Sequence, residues 1–107
     1  AAAPDVVQAS HVWIMPAATQ DLSLVVNFDL PAFDLERTIS EGAGDLLEAI
    51  RLVDDYRGAN LPEGKKSLTF ALRFRAADRT LTQLEASEAR DRAVALAAER
   101  FGAELRA

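Results

Sequence analysis

Two stretches of the chain place a large apolar side chain at every second position, with small, polar or basic residues between them. This is the period of a β-strand that buries one face and leaves the other open. We therefore expect two strands whose apolar faces share a core and whose opposite faces are available to a partner. The apolar positions are Leu22, Leu24, Val26 and Phe28 in the first stretch and Leu68, Phe70, Leu72 and Phe74 in the second.

A helix is predicted between these strands, because Pro31 suits a first helical turn and apolar residues then recur every fourth position. We expect Gly42 and Gly44 to end this helix. Its inward face is predicted to carry Leu35, Ile39 and Ala43.

The second helix has a clear start signal, since Thr82 and Glu85 have the spacing of a reciprocal capping box. It is predicted to run to Phe101 and to stop at Gly102. The many alanines on its inward face indicate a helix that lies close to the sheet. The predicted inward residues are Ala89, Ala93, Leu96, Ala97 and Phe101.

Two further strands complete the pattern, one from about Ala49 to Tyr56 and a short one from Ala103 to Arg106. The first of these has an ambiguous parity, because strict alternation puts apolar and polar residues on the same face. That alternation would group Ile50, Leu52, Asp54 and Tyr56 on one face and Arg51, Val53 and Asp55 on the other.

The order strand, helix, strand, strand, helix, strand predicts an α+β fold of two right-handed strand-helix-strand units. It corresponds to a ferredoxin-like βαββαβ sandwich, a four-stranded antiparallel sheet with two helices on one face. We expect one domain over residues 16–107, preceded by a lead-in segment over residues 1–15 in which His11 is a plain edge residue.

The charge of the chain is unevenly distributed along its 107 residues. The net charge of −5 argues against nucleic acid, yet residues 51–79 hold seven basic and four acidic side chains. This local +3 leaves −8 on the rest, which suits a module that touches a small part of an RNA held elsewhere. Four basic residues are candidate RNA contacts: Lys65, Lys66, Arg73 and Arg75.

Several classes of chemistry find no support in the sequence. There is no cysteine, so a disulfide framework and a cysteine-based zinc site are excluded. No glycine loop leads into a helix to bind phosphate, and no nucleophile elbow is present. The apolar run at 12–18 is shorter than the ~20 residues of a membrane span, and we expect a cytoplasmic protein.

A set of short motifs in a fixed order resembles a known family, the ferredoxin-fold anticodon-binding domain that ends the beta subunit of bacterial phenylalanyl-tRNA synthetase. The resemblance covers residues 16–106. It is carried by Asp54, Tyr56, Gly58, Leu61, Pro62, Gly64 to Leu68 and Arg79 to Thr82, with Asp21 to Val26 upstream and Phe101 to Arg106 downstream.

The resemblance implies a role in positioning phenylalanine tRNA by its anticodon, with Ser23, Asp54, Tyr56 and Ser67 at the contacting face. Tyr56 is the only tyrosine, and RNA-binding sheets stack unpaired bases on aromatic rings. The implied partners are this tRNA, the synthetase alpha subunit and the rest of the beta subunit, and neither DNA nor a membrane. Catalysis with ATP and magnesium is implied for the alpha subunit, so we expect no catalytic residue, cofactor or metal in this domain.

Two positions depart from the family pattern. Gln20 stands where the family commonly has arginine, which puts a phosphate contact or ion pair there in doubt. Asp55 stands where the family usually has an apolar residue, and a carboxylate on the core side is costly unless it is solvated. We therefore expect Asp55 near the exposed end of an edge strand.

Two functions from other classes remain open. The first is a small-molecule-sensing or dimerisation module, since this fold serves many regulatory domains. It would be favoured by a ligand pocket between a sheet edge and a helix. The second is an acyl-phosphate hydrolase of the same fold, which needs an anion loop and an Arg/Asn pair. It ranks last because Asn27 and Asn60 lack that setting.

Overall fold

The computed structural model describes residues 17–77 and 79–106. The predicted lead-in segment and His11 lie outside these residues. A short 3-10 turn, Gly44–Leu46, joins α1 to β2. The elements in chain order are β1 Ala18–Asn27, α1 Ala32–Ala43, β2 Leu47–Tyr56, β3 Lys65–Phe74, α2 Gln83–Phe101 and β4 Glu104–Leu105.

The four strands form one antiparallel sheet in the order β2-β3-β1-β4. The two strongly alternating strands, β1 and β3, are the central pair, and β2 is an edge strand. Both helices pack on one face of the sheet, where the even-numbered residues of β1 and β3 are buried. The predicted ferredoxin-like βαββαβ fold is confirmed.

The core lies between this face and the helices, and the two strands supply its large side chains. Phe28 is a correction to the predicted apolar face, because β1 ends at Asn27 and Phe28 is 49% exposed. A turn begins here, since the Leu30 N–H donates to the Asn27 carbonyl over 3.1 Å. The fully buried strand residues are Leu24, Val26, Leu68, Phe70 and Phe74, with Leu22 and Leu72 at 1% exposure.

Helix α1 buries Leu35, Ile39 and Ala43 as predicted. Gly44 ends the helix with a φ of 80°, whereas Gly42 lies within it. A Cβ at Gly42 would lie 2.7 Å from the Cα of Ala93. The expectation that both glycines end the helix is thus wrong for Gly42, whose missing side chain lets α1 approach α2.

Helix α2 begins with the predicted capping box. The Glu85 N–H donates to Thr82 Oγ1 and the Thr82 N–H donates to Glu85 Oε1, each over 3.1 Å. Arg79 pairs with Glu85. The bond with Arg79 is the larger cause, and the hydrogen bond from the Thr82 backbone is the smaller cause, of a pKa of the Glu85 carboxyl below its usual value.

The buried face of α2 consists of alanines alone, Ala86, Ala89, Ala93 and Ala97, while Leu96 and Phe101 are only half-buried. Gln20, the departure from the family pattern, faces this helix and donates to Ser87 Oγ over 3.0 Å. Where the family commonly has an arginine, this chain therefore has an amide that hydrogen-bonds to α2.

The parity of β2 is resolved by two β-bulges, each of which adds one residue to the strand. Leu47 pairs with Phe74 and Ala49 with Arg73, so Glu48 is extra. Leu52 pairs with Phe70 and Asp54 with Thr69, so Val53 is extra. A bulge reverses the alternation that follows it. The grouping of Ile50 and Leu52 with Asp54 and Tyr56 is therefore wrong.

Directly paired residues share a face of an antiparallel sheet. Partners on β3 thus place Leu47, Ile50, Leu52 and Asp55 on the helix side, and Ala49, Arg51, Asp54 and Tyr56 on the opposite side.

Candidate nucleic-acid interface

The sheet face away from the helices, called the open face here, carries the polar residues of three strands. Cross-strand pairing arranges them in rows, and neighbouring rows are ~7 Å apart because two residues of a strand span that length. The open face comprises Thr19, Asp21, Ser23, Val25, Ala49, Arg51, Asp54, Tyr56, Lys65, Ser67, Thr69, Ala71 and Arg73.

Four residues expected at the anticodon-contacting face fall in two adjacent rows, which we call the Tyr56 end. One row is Tyr56, Ser67 and Val25, and the next is Asp54, Thr69 and Ser23. Strands lie ~4.8 Å apart, so a ring, a carboxylate and several hydroxyls lie within the span of one nucleotide. The bulge at Val53 makes this possible, since it turns Asp54 and Tyr56 to the open face.

The ring of Tyr56 is held in place by its own loop. Its hydroxyl donates to Asn60 Oδ1 over 2.6 Å. A Cβ at Gly58 would lie 1.8 Å from the Tyr56 hydroxyl oxygen, so only glycine leaves room for this ring position. Gly58 is therefore a positioning residue for Tyr56.

Arg106 reaches the Tyr56 end from beyond β4. Its backbone N–H donates to the Ser23 carbonyl over 2.9 Å, and its guanidinium carbon lies 5.0 Å from the centre of the Tyr56 ring. This is the geometry of a cation–π contact. The guanidinium therefore lies on the aromatic ring that was predicted to stack on a base.

The hydroxyls of the Tyr56 end differ in how they are satisfied. Ser23 Oγ and Thr69 Oγ1 share a hydrogen bond of 2.7 Å. Ser67 is fully buried, and its Oγ has no hydrogen-bond partner within the described part of the chain. A buried polar group without a partner is costly, so Ser67 has an unused hydrogen bond to offer.

The four basic candidates are not brought together. Lys65 is on the open face and donates to Asn27 Oδ1 over 2.8 Å. Lys66 follows the parity of Val26 and Leu68 on the helix side and is 4% exposed. The structure therefore separates Lys66 from the other candidate RNA contacts.

Arg73 and Arg75 lie at the far end of the open face and share one carboxylate. Glu48 is 3.8 Å from Arg73 Nη1 and 2.9 Å from Arg75 Nε. Glu48 lies three positions before residues 51–79, so the local charge of +3 over those residues does not include its carboxylate. These two arginines are already partly neutralised.

Asp55 lies near the end of edge strand β2, as expected, and its carboxylate is solvated. Arg57 donates to both of its oxygens over 2.9 and 3.0 Å, which lowers the pKa of the Asp55 carboxyl. The same guanidinium lies 4.5 Å from the ring centre of Phe28. The exposed ring of Phe28 thus has a cation–π partner.

A depression of about 450 Å³ continues the open face away from the Tyr56 end. We call it the Ala71 depression, after the small residue in its centre. It is not the pocket between sheet edge and helix that a sensing module would use. Its side chains from the open face are Thr19, Asp21, Ala49, Arg51, Ala71 and Arg73.

The described residues hold no side-chain cluster that fits the magnesium implied for the full enzyme. Over 17–77 and 79–106, no three His, Cys, Asp or Glu side chains converge as metal ligands. The part of the chain that the structure covers also holds no helix long and apolar enough to cross a membrane.

Three contributors were absent from the predicted site: Thr69, Arg106 and Glu48. Thr69 was visible as a polar member of the alternating strand. Arg106 belongs to the motif that ends the resemblance, but no local pattern connects it with Tyr56. Glu48 reaches the open face only because of a bulge, which alternation does not reveal.

Comparison with known proteins places the chain among tRNA-related sequences. Residues 14–106 match the model of the ferredoxin-fold anticodon binding domain. Beta subunits of phenylalanine–tRNA ligase from Leifsonia xyli and Streptomyces avermitilis are each 59% identical, over 99% and 98% of this chain. The one from Thermobifida fusca is 53% identical over 92% of the chain. The chain spans only 12 to 13% of the length of these three relatives.

Proposed function

Because this chain belongs to the ferredoxin-fold anticodon-binding domains, we propose that its open face recognises the anticodon of phenylalanine tRNA. It does so as the anticodon-reading part of a phenylalanyl-tRNA synthetase beta subunit, working in the cytoplasm. The alpha subunit carries out the ATP- and magnesium-dependent aminoacylation. This chain contributes tRNA positioning and no catalytic group.

The observation that carries the proposal is the clustering of Tyr56, Asp54, Ser67 and Ser23 in two adjacent rows of the open face. An unpaired base stacks on an aromatic ring and is identified through hydrogen bonds at its edge. Tyr56 supplies the ring and Asp54 supplies an acceptor for a base N–H. The buried hydroxyl of Ser67, which lacks a partner among the described residues, supplies a donor that gains a bond once binding of the base uncovers it.

Arg106 takes part as the present occupant of the ring. A base that stacks on the face of Tyr56 that Arg106 now covers replaces the guanidinium there. The backbone bond from Arg106 to Ser23 keeps the displaced side chain nearby. From there it contacts the nucleotide phosphate, the usual partner of arginine in RNA.

The acidic character of the chain outside residues 51–79 fits this division of labour. A domain with a net charge of −5 has little general attraction for RNA. Its contribution is therefore selection among anticodons, through groups that stay unpaired when the wrong base is present.

The test uses the complete synthetase with Tyr56→Ala in its beta subunit. Loss of a base stack worth ~1 to 3 kcal/mol should lower kcat/KM for phenylalanine tRNA by roughly fivefold to a hundredfold. Tyr56→Phe should retain most of the activity, because stacking needs the ring and not the hydroxyl. A tRNA that lacks the anticodon arm should be charged equally by all three enzymes.

Two further variants separate ring position from base identity. Gly58→Ala should reproduce part of the Tyr56→Ala defect, because the new Cβ displaces the ring. Asp54→Asn should relax discrimination at one anticodon position and leave the thermal midpoint unchanged. If Tyr56→Ala lowers the thermal midpoint while charging of the full tRNA is unaffected, Tyr56 is a packing residue and the proposal fails.

A further inference from the structure

The Ala71 depression adjoins the Tyr56 end along the same three strands. Its first row, Arg51, Ala71 and Asp21, directly follows the row of Asp54, Thr69 and Ser23. The distance from one row to the next is ~7 Å. A strand of RNA with one base at the Tyr56 end therefore has its neighbouring nucleotide within reach of this depression.

The depression has the size and shape of a site. Its volume of about 450 Å³ lies within the range of about 300 to 1,000 Å³ found for small-ligand pockets. The floor is low because the side chains of Ala71 and Ala49 end at Cβ. Longer side chains rise on both sides of this floor, so a planar group can lie between them.

The walls of the depression carry a hydrogen-bond donor, Arg51, and an acceptor, Asp21, whose side chains have no partner among the described residues. Arg51 and Asp21 flank Ala71 on the two outer strands, and their Cα atoms are ~10 Å apart because two strand spacings separate them. Within residues 17–77 and 79–106, neither side chain makes a hydrogen bond or ion pair. At the far end Glu48 lies 3.8 Å from the Arg73 guanidinium.

We propose that the Ala71 depression is a second nucleotide subsite, which holds the unpaired base next to the one bound at the Tyr56 end. The base stacks on the guanidinium plane of Arg51, a surface that RNA-binding proteins use in place of an aromatic ring. Asp21 accepts a hydrogen bond from the base edge. This inference rests on the proposed function and extends it from one anticodon base to two.

The test fills the depression in the complete synthetase with Ala71→Leu. Ala95→Leu is the matched control, because it adds the same atoms at an exposed position of α2. Charging is measured with phenylalanine tRNA and with transcripts changed singly at each anticodon position. Ala71→Leu should raise KM for the unchanged tRNA by roughly tenfold, the size of a base-stacking contact, with kcat preserved.

The positions of the lost discrimination distinguish the two subsites. Asp21→Asn should relax selection at an anticodon position adjacent to the one relaxed by Asp54→Asn. Arg51→Gln should raise KM as Ala71→Leu does, and thermal midpoints should match the unmodified enzyme.

Three results would overturn the inference or its premise. If Ala71→Leu behaves as Ala95→Leu while Tyr56→Ala is impaired, the depression binds no base and the proposed function stands. If Asp21→Asn and Asp54→Asn relax the same position, there is a single subsite. If neither Tyr56→Ala nor Ala71→Leu affects charging, the proposed function itself fails.

Discussion

The helix side and the open face of the sheet are made by the same strands but differ in what lies against them. On the helix side, alternate residues of β1 and β3 are covered by α1 and by the alanine face of α2. On the open face, no helix of the described residues packs over the strands, and Arg106 contacts the ring of Tyr56. Core packing thus restricts the residues of one face, whereas the other face carries polar side chains.

The comparison explains why the same period-2 pattern is informative on one face only. A buried face must be apolar and densely packed, so its residues are restricted in type. An open face accepts any side chain that water can solvate. Function on that face depends on which polar groups become neighbours, and this is decided by strand register.

The largest expected effect separates the two faces by stability. Phe70→Ala should reduce the free energy of unfolding by about 3 to 5 kcal/mol, the usual loss for a buried phenylalanine. Arg73→Gln, on the open face of the same strand, should stay within about 0.5 kcal/mol. Urea titration of both variants checks this, and equal losses would show that the open face is as tightly packed as the core.

A smaller effect probes the close approach of the two helices. Gly42→Ala places a Cβ 2.7 Å from the Ala93 Cα, and such overpacking costs about 1 to 3 kcal/mol. The gain in helix propensity, about 1 kcal/mol, offsets only part of it. A Gly42→Ala protein as stable as the parent in urea would mean that α1 and α2 separate without cost.

Removal of the α2 cap should have a still smaller effect. Thr82→Ala should lower the free energy of unfolding by about 0.5 to 2 kcal/mol, whereas Thr82→Ser retains the hydroxyl and most of the stability. Charging of tRNA should be unchanged, since the cap lies on the helix side. A charging defect in Thr82→Ala at full folding would contradict the separation of the two faces.

The smallest expected effect is the loss of folding stability at low pH. Ion pairs with Arg79, Arg100 and Arg57 lower the pKa values of Glu85, Glu41 and Asp55. A carboxyl with a lowered folded-state pKa stabilises the fold above its unfolded pKa and loses this contribution as the pH falls through the folded value. Stability should therefore decline below about pH 4.5, starting from the ordinary glutamate value.

These carboxylates are exposed, so added salt should weaken the decline. Glu41→Gln should remove part of it, because Arg100 then loses a partner that it now holds over 2.7 and 2.8 Å. An acid profile unaffected by Glu41→Gln would assign the decline to other carboxyls.

Much of the fold was predictable because β1, β3 and both helices have local sequence signals. Alternation placed Leu24 and Phe70, and the capping box placed the first turn of α2. Gly42 and Phe28 were misjudged for a different reason. A glycine inside a helix and an aromatic ring under Arg57 are explained by neighbours distant in sequence.

The sequence predicted which residues belong to the candidate site better than it predicted how they are arranged. Tyr56 and Asp54 were named from a resemblance, whereas their common face depends on the extra residue Val53. Lys66 was grouped with Lys65 by adjacency, although adjacent residues of a strand point to opposite faces. The contact of Arg106 with Tyr56 joins residues from the two opposite edges of the sheet and has no local signal.

The bulge at Val53 also has a consequence for how β2 tolerates change. It divides the strand into two segments of opposite phase, so that Ile50 and Leu52 lie on the helix side while Asp54 and Tyr56 lie on the open face. Deletion of Val53 would make Leu52 with Phe70 and Asp54 with Thr69 consecutive pairs of a regular ladder, so Asp54 and Tyr56 would keep their place on the open face. Straightening the bulge with Val53 still in the strand would instead carry Asp54 and Tyr56 to the helix side, and the proposed anticodon reader would be lost while every side chain that composes it remains in the chain.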